Sequence, residues 1–233
     1  MQLGPPITPD TEDQKSHSGD RVRAWLKRLA APLIGIGALL LKAKALLFFL
    51  LHLQFLGFIA TLGLSLWLYV VAFGWRFALV LTIVLVAHEF GHYAAFRGYG
   101  LAVRLPNFVP FLGAFTAGTM PASLEEDAYI ALAGPLTGLG LAAACGSIAT
   151  LAPDPIWNAV AYFSAFLNLF NLIPVGFFDG GRIVHAIFPP ANDPRNTTHD
   201  GHARLRVAGA YLGTAIGLLW IVIATHHAIA RPV

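Results

Sequence analysis

Long apolar stretches, separated by short polar segments, fill most of the chain after residue 54. A helix needs roughly 20 consecutive apolar residues to cross the hydrocarbon core of a bilayer. By this length criterion the pattern predicts five spanning helices, at about Phe55–Phe73, Trp75–Phe96, Ala128–Leu151, Ile156–Val175 and Val207–Thr225. We therefore interpret the chain as an all-α polytopic membrane protein.

The segments before the first predicted span have a different character. Residues 1–30 are polar, with prolines and mixed charges, and we expect them to be disordered. The apolar segment Pro32–Leu53 is interrupted by Lys42 and Lys44, which favours a helix lying at the membrane interface with its lysines reaching toward water. No signal peptide is predicted. Residues 31–233 are expected to form one membrane-embedded domain.

Two further segments depart from a simple spanning pattern. Leu105–Met120 is too short and too broken by prolines and glycines to cross as a helix, so it predicts a re-entrant loop or hairpin. Such backbone is tolerated at membrane depth only where protein or a water-filled cavity covers it. Within the third predicted span, Gly134 and Gly138 have the small-xxx-small spacing that lets a neighbouring helix approach closely. We interpret these glycines as helix-packing residues.

Composition supports a membrane protein and excludes other classes. Hydrophobic residues make up 57% of the 233 residues and charged residues only 12%, about half the charged share of a soluble domain. The single cysteine, Cys145, lies in an apolar run and predicts a packed side chain. The chain has a net positive charge, but its basic residues are not accompanied by a group of aromatic residues on which bases could stack. We therefore expect no nucleic-acid partner.

The distribution of positive charge predicts an orientation. If the N-terminus is cytoplasmic, five spans place all but two of the fifteen lysines and arginines on the cytoplasmic side, the exceptions being Arg76 and Arg231. This is the bias expected of cytoplasmic loops. We therefore predict a cytoplasmic N-terminus.

Candidate chemistry lies in the second predicted span, in the motif His88-Glu89-Phe90-Gly91-His92. Residues four apart share a helix face, so both imidazoles can bind one metal ion. The glutamate between them can reach a water at that ion, the arrangement typical of zinc hydrolases. Ionisable residues within a membrane segment are expensive and usually functional. The motif predicts hydrolysis at a metal inside the membrane.

A catalytic zinc normally has three protein ligands, so a third must come from elsewhere in the chain. Asp179 is the best candidate, because Pro174 and Gly176 would break the preceding helix and let the chain bend toward the metal. The alternative is an ordinary turn aspartate before two glycines. Asn171 is a candidate to hold a substrate carbonyl or an oxyanion. For Asn171, as for Asn168 one turn earlier, a hydrogen bond to a neighbouring helix is the alternative.

The HExxH motif, followed by Asn-x-x-Pro-x-x-x-x-Asp-Gly at Asn171 to Gly180, resembles the site-2 protease family of intramembrane zinc metalloproteases. The resemblance implies Zn²⁺ bound by His88, His92 and Asp179, with Glu89 as general base. It also implies a re-entrant β-loop near Leu105–Met120.

On this basis we expect an intramembrane metalloendopeptidase that cleaves transmembrane segments of other proteins within the lipid bilayer. Its active site would open toward the cytoplasm, because Asp179 and the two histidines are predicted to lie toward that face of the membrane. The alternative is a non-proteolytic membrane scaffold, or a metal-binding transport component of the same fold. Association into a homo-oligomer stays open, and the sequence names neither the substrate nor the trigger for cleavage.

Overall fold

A computed structural model describes residues 11–196 and 201–229. The chain divides into two compact units, Met1–Leu53 and Gln54–Val233. The elements in chain order are α1 Thr11–Phe73, α2 Trp75–Gly98, β1 Asn107–Val109, β2 Gly113–Phe115, α3 Leu124–Leu151, α4 Pro155–Asn171, α5 Asp179–Ile187 and α6 Gly201–Ile229. The predicted all-α class holds for these residues, apart from the two short strands.

The N-terminal region differs from the expectation of disorder. Helix α1 begins at Thr11, so residues 11–30 are helical, and residues 1–10 lie outside the described residues. Glu, Gln, Lys and Arg are good helix formers, which offsets the polarity of this stretch. The segment Pro32–Leu53, predicted as a separate interfacial helix, is likewise part of α1.

Four of the described helical stretches are long and apolar enough to cross a membrane: Leu39–Phe73, Trp75–Gly98, Leu124–Leu151 and Gly201–His226. The prediction of five spans is therefore not confirmed. The predicted span Ile156–Val175 corresponds to α4, which has 17 residues and stops at Asn171. The chain turns there because Pro174 cannot continue a helix. At 1.5 Å per residue α4 is about 25 Å long.

Helix α3 is the centre of the second unit, and it packs against α2, α4, α5 and α6. Its buried residues Ala131 and Leu132 belong to the largest apolar cluster, together with Ile183 of α5 and Leu218 of α6. Pro135 lies inside α3. This arrangement places α2 and α5, which carry the candidate metal ligands, against the same central helix.

The predicted irregular loop contains a hairpin. Strands β1 and β2 pair antiparallel, with Phe108 opposite Ala114 and Val109 opposite Gly113. The turn uses left-handed backbone at Phe111 (φ 64°) and at Gly113 (φ 107°), a conformation that glycine adopts at little cost. Strand β2 packs against α2, the helix that carries the HExxH motif.

Charged side chains join α3, α5 and the loop that follows α5. Asp127, in the first turn of α3, accepts hydrogen bonds from Arg182 of α5 and from Arg195 of the loop. In that loop Asp193 is 2.8 Å from His185 Nε2 and 3.3 Å from Arg195. The hydrogen bond from His185, together with those from Arg195, lowers the pKa of Asp193 to about 2. These contacts fix the start of α3 relative to α5.

The network gives a test of its contribution to stability. We expect Asp127→Asn to lower the free energy of unfolding by about 1–2 kcal/mol, because it leaves two arginines without their shared partner, although both are partly screened by solvent. The thermal midpoint of the purified protein in detergent should fall by roughly 2–8 °C. Glu125→Gln is the matched control, since Glu125 is also in the first turn of α3 but pairs with the exposed Arg206. Equal shifts in the two variants would contradict this account.

Candidate metal centre

Helix α2 presents both histidines of the motif toward α3. His88 and His92 are 4% and 6% exposed, and their Nε2 atoms lie 3.1 Å apart. The four-residue spacing brings the rings together on one helix face, as the sequence predicts. Two buried imidazoles therefore point their Nε2 atoms at one place.

Asp179, the first residue of α5, completes the group. Its Oδ2 atom is 3.2 Å from His88 Nε2 and 3.3 Å from His92 Nε2. The start of α5 packs tightly against the preceding turn, because a Cβ on Gly180 would lie 2.1 Å from the Leu172 carbonyl oxygen. The glycines after Asp179 thus permit the close approach that brings the carboxylate to the histidines.

The three ligand atoms fit a tetrahedral metal. Ligand atoms bound about 2.0–2.1 Å from a tetrahedral zinc lie about 3.3 Å from one another, and the three distances here are 3.1, 3.2 and 3.3 Å. Two imidazoles and one carboxylate form a donor set that zinc accepts. The residues present therefore fit the zinc site that the sequence predicts.

Each histidine is oriented by its other ring nitrogen. His92 Nδ1 is 2.8 Å from the main-chain oxygen of Ile130, and His88 Nδ1 is 2.7 Å from Asn168 Oδ1. Such outer partners commonly fix the ring orientation of metal-binding histidines. Sequence reasoning left Asn168 open between substrate contact and helix packing, and the structure places it against His88, a candidate metal ligand.

The second oxygen of the Asp179 carboxylate has a basic neighbour. Arg182 lies one turn further along α5, with Nη1 4.0 Å from Asp179 Oδ1. Asp127 holds this arginine in turn.

Glu89 is buried beside the three ligands and is held by the loop that follows β2. Its Oε2 atom accepts a hydrogen bond from Thr116 Oγ1 at 2.7 Å, and the same hydroxyl lies 3.2 Å from the Glu89 main-chain oxygen. Sequence reasoning missed Thr116, because no local signal links a loop threonine to a glutamate on another element. The contact aims a potential proton acceptor at the space beside the ligands.

A cavity of about 510 Å³ opens beside the ligands and Glu89. Its polar lining includes Thr116, Asn171 and Arg182. Its apolar lining comes from α1, α2, the hairpin, α4 and the turn before α5, including Tyr69, Phe73, Phe77, Phe111, Phe115, Leu167 and Phe178. Asn171 is therefore at the cavity wall, in a position compatible with the role predicted for it. A molecule in the cavity would contact both the ligand group and the hairpin.

Gly134 and Gly138 of α3, predicted to be helix-packing residues, lie against particular side chains of the site. A Cβ on Gly134 would lie 2.4 Å from His92 Nε2 and 2.8 Å from His88 Cε1. A Cβ on Gly138 would lie 1.9 Å from Asn168 Nδ2. Both glycines therefore leave room for metal-site side chains, in addition to allowing neighbouring helices to approach.

The fold and the site together define a class: a helical protein with apolar helices of membrane-spanning length and a buried His-His-Asp group that could hold a metal ion. Sequence comparison agrees. The profile of peptidase family M50 matches residues 76–153 and 144–216, which include both histidines, Glu89 and Asp179. The chain belongs to this family, the site-2 proteases.

Two curated relatives share this similarity. Both are named "Putative zinc metalloprotease Rip3", from Mycobacterium tuberculosis strains ATCC 35801 / TMC 107 / Erdman and ATCC 25618 / H37Rv. Each is 31% identical over 161 residues, which cover 66% of this chain and 39% of the relative. The aligned residues thus span well under half of the length of each relative.

The space at Gly134 gives a test of the metal centre. We expect Gly134→Ala to reduce bound zinc at least tenfold, because the added methyl group would overlap both imidazoles and displace their Nε2 atoms. Elemental analysis of the purified protein after dialysis against a weak chelator measures this loss. Gly146→Ala is the matched control on the same helix, since nothing lies within 4 Å of its added Cβ. Full zinc in Gly134→Ala would mean that the ligands do not bind the metal in this arrangement.

Proposed function

We propose that the protein is an intramembrane zinc metalloendopeptidase that cleaves transmembrane segments of other membrane proteins. The observation that carries the proposal is the position of Glu89 beside the three-ligand group, at a cavity bordered by strand β2. Membership of peptidase family M50 supports peptide-bond hydrolysis. The apolar helices around the site support a substrate in the lipid bilayer.

The chemistry follows from the positions of the side chains. Zinc, when bound by His88, His92 and Asp179, supplies Lewis acidity and makes a water in the site more acidic. Glu89 accepts a proton from that water as its oxygen attacks the peptide carbonyl carbon. Glu89 then delivers the proton to the amide nitrogen as the carbon–nitrogen bond breaks. Asn171, at the cavity wall, would donate a hydrogen bond to the oxygen on which negative charge develops.

The substrate must reach this cavity in an extended form. An α-helix uses its carbonyl groups in its own hydrogen bonds, so a transmembrane segment has to unwind around the bond that is cleaved. Gly113, Ala114 and Phe115 of β2 line the cavity. An unwound segment can pair with this strand edge, which would hold its main chain beside Glu89.

We infer that the cavity opens toward the cytoplasm, the side on which most lysines and arginines are predicted to lie. Asp127, Arg182 and Arg195 form their network at the start of α3 and around α5. These charged groups are more stable near water than near hydrocarbon. We infer that water enters from this side.

The alternative function, a non-proteolytic scaffold or a metal-binding transport component, has no need of a general base. Burial of a carboxylate without a role is costly. The glutamate here is 4% exposed and held by Thr116 at the cavity. This arrangement favours the protease.

The role of Glu89 can be separated from metal binding. We expect Glu89→Gln to retain about one zinc per chain but to lower cleavage by roughly 10²–10⁴-fold, the usual contribution of a general base. His92→Ala and Asp179→Ala should lose zinc, because each removes one of three ligands. Substrates can be found as membrane proteins that accumulate in native cells carrying Glu89→Gln, and cleavage is then measured in proteoliposomes.

Glu125→Gln makes the same chemical change outside the cavity and should cleave at the wild-type rate. Cleavage by Glu89→Gln at that rate would rule out the protease assignment. Retention of full zinc by both His92→Ala and Asp179→Ala would mean that the ligand set is wrong.

The hairpin can be tested as a wall of the substrate site. Phe115 is 52% exposed and lines the cavity, so we expect Phe115→Cys to react with a small membrane-permeant thiol reagent and to be protected by bound substrate. Gly113 is less suitable, because its positive φ strains any other residue. The background variant Cys145→Ala removes the native thiol. It should leave cleavage unchanged, because Cys145 does not line the cavity.

Met120→Cys is the control for general exposure, because Met120 is 72% exposed but does not line the cavity. It should react with and without substrate. A cysteine at 115 that is inert under both conditions would place the substrate path elsewhere.

A further inference from the structure

We propose that Asn168 is a positioning residue that fixes the tautomer of His88 and thereby strengthens metal binding. The inference rests on the metal site of the proposed function, but not on the identity of the substrate. Asn168 is 0% exposed, within a helix of largely apolar sequence. A fully buried amide is retained at low cost only where its polar atoms are satisfied.

The orientation of the amide follows from its second partner. Asn168 Nδ2 lies 2.7 Å from the main-chain oxygen of Ser164, which can only accept a hydrogen bond. The nitrogen of the amide therefore faces Ser164, and the oxygen faces His88. The opposite orientation would place two oxygens against each other.

This orientation determines where the proton of His88 resides. Asn168 Oδ1 is an acceptor 2.7 Å from His88 Nδ1, so this nitrogen must carry the hydrogen. In the neutral ring the lone pair is then on Nε2, the atom that points toward His92 Nε2 and Asp179 Oδ2. Asn168 thus selects the one tautomer of His88 that can bind a metal at this place.

Helices α3 and α4 are built to hold the amide in place. Ser164 Oγ donates a hydrogen bond to the Gly138 main-chain oxygen at 2.8 Å. A Cβ on Gly138 would lie 1.9 Å from Asn168 Nδ2 and 2.1 Å from its Cγ. Gly138 therefore leaves the space that the amide occupies, and any larger residue there must displace it.

The two histidines differ in how they can be tested. His92 Nδ1 faces the main-chain oxygen of Ile130, which a side-chain substitution does not remove. His88 is held by a side chain, so a single substitution can remove its partner. The zinc affinity of the full chain in detergent, measured by competition with a chromophoric chelator, reports the effect without any need for cleavage.

We expect Asn168→Leu, which has the same branching at Cγ but no acceptor, to raise the Kd for zinc by about 10–100-fold. Asn168→Asp keeps an oxygen toward His88 Nδ1, and as the neutral acid it can donate its O–H to the Ser164 main-chain oxygen, so the zinc Kd should stay within about threefold of wild type. A residue that only packed the helices would show the opposite order, since leucine suits an apolar interior and aspartate does not. The thermal midpoint of the metal-free protein, measured for each variant, confirms that the folded proteins are compared.

A second pair of variants tests the same contact from α3. We expect Gly138→Ala to raise the zinc Kd in the same range, and Gly140→Ala to leave it unchanged, because nothing lies within 4 Å of a Cβ on Gly140. Combined with Asn168→Leu, Gly138→Ala should add little further loss, since both remove one hydrogen bond. If Asn168→Leu does not fold, the comparison of Gly138→Ala with Gly140→Ala tests by itself whether Asn168 strengthens zinc binding.

The outcomes separate this inference from the proposed function. In one outcome the wild-type chain binds zinc and Asn168→Leu has the same Kd for zinc as the wild type. That result would overturn the role of Asn168 and leave the protease proposal intact. Gly138→Ala replaces Asn168→Leu in this comparison if Asn168→Leu does not fold. A wild-type chain that binds no zinc would overturn both. A raised Kd in Asn168→Leu, restored in Asn168→Asp, supports the positioning role.

Discussion

The close approach of α3 to the metal-binding face of α2 is the constraint on which the rest of the site depends. His88 and His92 bring their Nε2 atoms together only because Gly134 offers no side chain where the two rings lie. The Ile130 carbonyl on the same helix then orients His92. A helix that supplied a larger residue at position 134 would separate the imidazoles and leave two buried polar groups poorly paired.

Much of this site could be predicted from the sequence, because its ligands follow local rules. The spacing of His88 and His92 is a property of a single helix. Asp179 could be placed because Pro174 and Gly176 interrupt the helix before it. Thr116 and Asn168 could not be assigned roles in the same way. Their partners lie on other elements, and only the tertiary arrangement brings a loop hydroxyl to Glu89 and an amide to His88.

The fold was harder to predict than the candidate ligands, because apolar composition shows neither where a helix ends nor which side chains pack against it. The segment predicted as the fourth span is largely apolar as far as Val175, yet α4 ends at Asn171, where the chain must bend to deliver Asp179. The same pattern that predicts helix packing at Gly134 and Gly138 cannot reveal which side chains occupy the space. Apolar periodicity reports that a surface is buried, whereas the identity of its neighbour depends on the whole bundle.

The hydrolytic site that we propose, which lies among apolar helices, has to reconcile two opposing demands. The ligand group needs a surrounding that excludes bulk water, because buried charges interact strongly there. Hydrolysis nevertheless consumes a water and exposes polar main chain of the substrate. The cavity meets both demands by its uneven lining, with Thr116 and Arg182 among its polar groups and Phe73 and Phe77 among its apolar ones. The apolar residues suit the side chains of a membrane segment, and the polar groups suit its unwound backbone, so this lining agrees with the substrate that we propose.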